Sequence, residues 1–390
     1  MDDMNTSAAS KTPKSKRRRL LWIIPLVVAG VGLLVTIIGV AALIFIFRPS
    51  DWTGEPDRLG SWGQINQEIE RADGWEQIVH NSPFQLGEPV QTDTWQGPDG
   101  TEAMYTIPFG TYPLLDGSTV AVPMALEFAR QHLGLSDEQA TTFVNFNTTP
   151  EAYNNLIERY SVYGGWFQME KLRSGSLEEG QGVDLIIVTE PSAAELALAA
   201  ARNVELIVEP VAYDGFVFIT HKDNPVESLT LDQIRAIYHG DITNWREVGG
   251  NDEQIVAYQR EEGSGSQTAM INLVMGDMPI AAPPMVELED SMSGLIESVA
   301  EYQNESKSLG YTFRYYIDNL YKNDQIKVLK IEGIEASDDN IRSSHYPLTA
   351  TYNGVIRSND KTATGGKFLD WMLSDEGQRV IKQAGYITLK

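Results

Sequence analysis

Apolar and polar residues follow one another along this chain in three rhythms, and each predicts a different element. The first is unbroken. Leu20 to Phe47 runs 28 residues without a charge, more than the ~20 that a helix needs to cross a bilayer. Lys16, Arg17, Arg18 and Arg19 stand just before it, an order that keeps the N-terminus cytoplasmic. No small-residue cleavage pattern follows, so an uncleaved anchor is expected, with the rest of the chain outside the cell. A cleaved signal peptide is the lesser reading. The second rhythm is helical. Val122, Ala125, Leu126, Ala129 and Leu133 make one apolar face, with Ser118 or Thr119 as N-cap. Leu231–Tyr238, Met292–Glu301, Phe313–Tyr321, Gly366–Met372 and Glu376–Gln383 also read as helices. The third is short and β-prone. Phe143–Phe146, Val183–Thr189 and Gln254–Tyr258 read as strands, and Val204–Thr220 and Tyr346–Arg357 as longer extended segments.

Hydroxyl residues gather where strands give way to helices. Thr148-Thr149-Pro150-Glu151 opens a helix with Thr149 at N-cap and Pro150 at N1. Ser192 to Glu195 is a capping box. The richest junction is Tyr258 to Thr268, which reads as strand, glycine turn and helix. Gly263 and Gly265 permit a tight turn and close backbone approach. Ser264 and Ser266 add hydroxyls, and Arg260 adds a planar cation. Free N–H groups, hydroxyls and an arginine suit a small oxyanion. Alone, the stretch reads equally well as an ordinary capped turn. It is not a P-loop, because no lysine follows the second glycine.

The order of segments predicts an α/β fold in which a second lobe is inserted between two crossing strands. The expected division is residues 1–19 as a basic tail, 20–47 as anchor, and 48–110 as a stalk or small decoration. Residues 111–210 and 346–390 then form lobe 1, and 211–345 lobe 2. Charge sharpens this picture. The chain carries −24, but seven basic and two acidic residues before position 51 leave that stretch at +5 and the rest at −29. So acidic a body is not expected to hold nucleic acid. It does not exclude a small anion held by contact-range donors, since surface charge is screened. With no cysteine there is no disulfide and no thiolate metal site. The five histidines show no ligand spacing, so no metal is expected.

Asp116 to Thr119, Asp223-Asn224-Pro225-Val226, Gly240 to Trp245, the turn from Arg260 to Ser266, and Ser374 to Gln378 occur in this order. With them, residues from about 112 onward resemble the substrate-binding protein of a phosphate ABC transporter, in the type II periplasmic-binding-protein-like superfamily. The resemblance implies two α/β lobes joined by a two-stranded hinge and closing on inorganic phosphate. It implies phosphate contacts from Ser118, Thr119, Thr148 or Thr149, Arg260, Ser264, Gly265 and Ser266. Glu190 falls where the family has an aspartate. There it could accept the proton that phosphate keeps near neutral pH and sulfate lacks, rejecting sulfate. As a plain strand-end residue it would be exposed and idle. Two departures stand out: Pro150 has no N–H to give, and Glu151 puts a charge near the anion.

The implied protein is a membrane-anchored extracellular monomer that captures phosphate and passes it to ABC permease subunits, without cofactor or catalysis. Its alternatives are a phosphate-sensing ectodomain without transport and a binder of another tetrahedral oxyanion. Trp245, Tyr315 and Tyr316 read as core, with lining of a cleft as the lesser reading, and Asp116, Asp223 and Asp241 as turn or helix caps rather than ligand contacts. Asp214 would either orient Arg260 or hold the hinge.

Overall fold

The computed structural model describes residues 74–85, 89–91, 95–96, 102–103, 106–108, 111–144, 146–159, 182–282, 286–289, 292–301 and 307–390. The basic tail and the anchor segment Leu20–Phe47 lie outside them. Among the described residues no helix is long and apolar enough to cross a membrane.

The fold is mixed α/β. In chain order its sheet strands are β1 (Leu115–Gly117), β2 (Leu185–Val188), β3 (Leu206–His221), β4 (Val256–Arg260), β5 (Val286–Glu289), β6 (Ser308–Phe313), β7 (Ile326–Val328) and β8 (Thr349–Arg357). They make one eight-stranded sheet in the order β5-β4-β6-β3-β8-β2-β1, with β7 also on β3. β3 is the spine. Its first part pairs antiparallel with β8, from Leu206 with Arg357 to Gly215 with Thr349. From Phe216 to Thr220 it pairs instead with β6. The sheet thus has two halves, one around β2 and one around β6. Parallel pairs, β1 with β2 and β4 with β5 and β6, occupy the outer parts.

The helices are α1 (Val122–Leu133), α2 (Asp137–Phe143), α3 (Thr149–Glu158), α4 (Ala193–Ala201), α5 (Leu231–His239), α6 (Gly265–Ala269), α7 (Met292–Glu301), α8 (Thr364–Leu373) and α9 (Asp375–Gln383), with a further short helix at Asp338–Arg342. Tyr153, Leu156 and Ile157 of α3 bury against Ile186 and Val188 of β2 and Val355 of β8. The other half is filled by rings: Tyr311 packs against Phe216, Phe218 and Tyr238. Each such buried ring contributes mainly through the apolar area it removes from water.

Two local expectations are corrected. Phe143 to Phe146 is not a strand. Asp137–Phe143 is helical because Ser136 caps it, its Oγ accepting from Gln139 N–H (3.2 Å) while Gln139 Oε1 accepts from Ser136 N–H (2.9 Å). The α3 cap is Thr148, not Thr149, which moves Pro150 one place inward but keeps it in the first turn. The capping box at Ser192 and Glu195 is as expected.

Candidate functional site

Asp116, the middle residue of β1, organises one wall of the site. Its buried carboxylate accepts from Gly117 N–H (2.7 Å), Asn147 N–H (2.9 Å), Asn147 Nδ2 (2.9 Å) and Asn155 Nδ2 (2.8 Å). Burial pushes this carboxyl above its ordinary value, and the Asn155, Asn147 and Gly117 donors act against that. The bonds fasten the turn before α3 beside the end of β1. Ser118 and Thr119 therefore stand next to Thr148 and Thr149. Ser118 heads a short 3-10 turn without capping it through its side chain. Its Oγ is buried and meets no protein partner.

β2 supplies a second edge. Thr189 follows its last residue, where parallel strands of α/β sheets commonly present ligand-facing groups. The buried hydroxyl of Tyr153 donates to Thr189 O at 3.0 Å and fixes that backbone. Thr189 Oγ1 is itself buried and without a protein partner.

The opposite wall is the turn after β4. Arg260 N–H donates to Tyr311 OH (2.9 Å) and Gln267 Oε1 (3.3 Å), and Tyr311 OH in turn bonds Gln267. Ser264 Oγ accepts from Gln267 N–H at 3.2 Å and caps α6. Gly263 takes φ 86°, a conformation suited to glycine. The chain past α6 continues as a π-helical turn, Met270–Met275.

These walls enclose a cavity of about 200 Å³ between the two halves of the sheet. That is below the roughly 300–1,000 Å³ of pockets for drug-sized ligands, so it suits a small ion. Of the residues singled out in the sequence, Ser118, Thr119, Thr148, Thr149, Arg260, Ser264, Gly265 and Ser266 line it. Thr148 Oγ1 donates to Glu151 Oε2 at 3.1 Å, which accounts for both its hydroxyl proton and the nearby carboxylate. Glu190 does not line the cavity. It is exposed, with Oε1 at 3.5 Å from the Thr351 hydroxyl. Val120, Pro150, Thr189, Glu261, Glu262, Thr312, Phe313 and Tyr316 line it as well, two carboxylates among them; of these the sequence reading weighs only Pro150 and Tyr316. The position of Thr189 at a strand end was the available signal for it. Trp245 and Tyr315 are core. Asp214 on β3 accepts from Gly215 N–H (2.7 Å), Tyr315 N–H (3.1 Å) and Tyr352 OH, which ties β3 to β8 and to the segment after β6.

A crossed α/β sheet with a small hydroxyl-lined cavity at its waist defines a periplasmic-binding-protein-like fold. The chain belongs to the PBP superfamily, whose domain matches residues 169–376. The resemblance drawn from the motifs is borne out. Phosphate-binding protein PstS of Bacillus subtilis (strain 168) is 26% identical over 212 residues, 54% of this chain and 61% of that protein. Phosphate-binding protein PstS of Borreliella burgdorferi is 26% identical over 188 residues, 46% and 64% of the two chains. The chain thus spans less than two thirds of the length of these curated relatives. A solved structure with bound phosphate from Clostridium perfringens is of a chain assigned as a phosphate ABC transporter substrate-binding protein. It superposes with a TM-score of 0.51 at 25% identity, covering 71% of this chain and 98% of that one.

Proposed function

We propose that this protein is an extracellular phosphate receptor, tethered by Leu20–Phe47, that captures inorganic phosphate and hands it to ABC permease subunits. One observation carries the reading. Two buried hydroxyls with no protein partner, Ser118 Oγ and Thr189 Oγ1, belong to residues lining the same cavity as Arg260. A buried hydroxyl without a partner costs about 1–3 kcal/mol, and a bound oxyanion removes that cost at both. The phosphate held by the Clostridium relative, and the names of the PstS relatives, support the choice of anion.

In this reading Ser118, Thr119, Thr149 and Thr189 bind from one lobe, residues 111–210 and 346–390. Arg260, Ser264, Gly265 and Ser266 bind from the other, residues 211–345. β3 and β8 form the hinge. Thr148 shapes the corner through Glu151. Glu190, the residue after Thr189, would have to leave Thr351 to accept a proton from phosphate. The protein binds its ligand without transforming it.

Calorimetry of the full chain with phosphate and with sulfate tests this. Saturable phosphate heat with far weaker sulfate binding is expected, and no phosphate heat would overturn it. Membrane-isolated protein should retain Lys16–Arg19. A mature N-terminus near residue 50 would remove the tether from the reading.

A further inference from the structure

Gly265 has no local reason to be glycine. Its backbone is not among the left-handed positions of the described residues, unlike that of Gly263. It is the first residue of α6, where alanine would be the better helix former. Its reason lies across the cavity. A Cβ on Gly265 would lie 2.7 Å from Thr189 Oγ1 and 2.8 Å from Thr149 Oγ1, closer than side-chain carbons tolerate. Both threonines are buried and belong to the other half of the sheet. Both are β-branched, which restricts χ1, and burial limits the room in which either can turn. Thr189 is also fixed through its carbonyl by Tyr153.

We propose that Gly265 is the closure contact of the binding site, the point where the two halves come within van der Waals range only because one side chain is missing. The proposal rests on the phosphate-receptor reading and adds a positioning role to it. A single methyl there meets both hydroxyl oxygens and stops the halves short of their closed position beside the ligand. The donors of one wall then no longer reach an anion seated on the other.

The test uses the full chain, which contains no cysteine. Ala201→Cys and Asn251→Cys, exposed positions on the two halves, carry a fluorescent donor and acceptor. In this labelled parent, saturating phosphate is expected to change energy transfer. Adding Gly265→Ala should produce less than half that change and bind phosphate at least tenfold more weakly by calorimetry. Its thermal midpoint should be unchanged or higher, because the helix is not harmed. Thr149→Ser with Thr189→Ser in the Gly265→Ala background keeps both hydroxyls but frees their rotamers, and should recover closure and most of the affinity. A Gly265→Ala chain that closes and binds like the parent overturns the inference. So does a lowered midpoint, or a serine pair that recovers nothing. A parent that takes up no phosphate removes the receptor reading, and this inference with it.

Discussion

In the proposed receptor, Arg260 and the unpartnered hydroxyls of Ser118 and Thr189 would make different demands on the anion. The guanidinium supplies a charge-assisted, two-pronged donor in a confined cavity. Arg260→Ala should weaken phosphate binding by about 2–5 kcal/mol in calorimetry, by analogy with breaking a desolvated charge pair. Thr189→Ala removes one neutral donor to a charged ligand and should cost about 1.5–3 kcal/mol. Thr189→Ala binding like the parent would place the anion elsewhere in the cavity. Asp214 acts on stability instead. Burial pushes its carboxyl from 3.8 up to about 7, against the Tyr352 hydroxyl and the Gly215 and Tyr315 N–H groups that favour the charged form. Between these values the folded chain holds a proton that the unfolded chain has released. The contribution of this group is therefore present below pH ~4 and is lost as pH rises through ~7, with a slope of at most about 1.4 kcal/mol per pH unit. Asp214→Asn mimics the protonated group and should flatten that fall in a denaturation series from pH 4 to 7.5. An unchanged slope would show that other groups set it.

At the scale of elements, the segment ahead of β1 holds what the pattern of apolar positions did not reveal. Residues 74–85 contain no helix or strand, yet they strap α1, α8 and α9 together. Trp75 Nε1 donates to Glu127 Oε1 (2.8 Å), and Gln131 Oε1 accepts from Ile78 N–H (2.7 Å) and Val79 N–H (3.0 Å). Gln383 Oε1 accepts from Glu76 N–H at 3.0 Å. Phe84 packs edge-on against Phe368 and His132. Burial lowers the His132 imidazole to about 4, so it packs as a neutral ring. Phe84→Ala should cost about 3–5 kcal/mol of stability in urea, and a loss under 1 kcal/mol would make the strap a surface decoration. No periodicity marks a strap, because its bonds run from backbone N–H groups and side chains such as Trp75 to side chains far along the chain. Helices and long strands were legible because burial imposes a period on them. Thr189 and Asp214 were harder: the role of each is set by partners such as Tyr153, Tyr315 and Tyr352, whose approach only the fold decides. Glu190 shows the converse. A motif position names a residue type but not the direction of its side chain.

For the whole molecule, the proposed receptor role raises the question of how a body of net charge −29 beyond residue 50 would take up an anion. The two charges act over different distances. Phosphate approaching from solvent meets the summed field of the body, which is repulsive and slows encounter. Once in the cavity it meets Arg260 and hydroxyl donors at contact distance, where salt between the partners has no room to screen. Added salt shortens the Debye length from ~30 Å at 0.01 M to ~8 Å at 0.15 M. It therefore removes the long-range repulsion and leaves the contacts nearly untouched. The association rate constant for phosphate should rise with sodium chloride over this range, while the dissociation rate constant changes little. Stopped-flow mixing of the full chain with phosphate, followed by tryptophan fluorescence, reads both. An association rate that falls with salt would mean that the field at the cleft mouth is positive. Arg260 would then steer the anion inward as well as hold it, and Arg260→Ala should abolish that salt dependence.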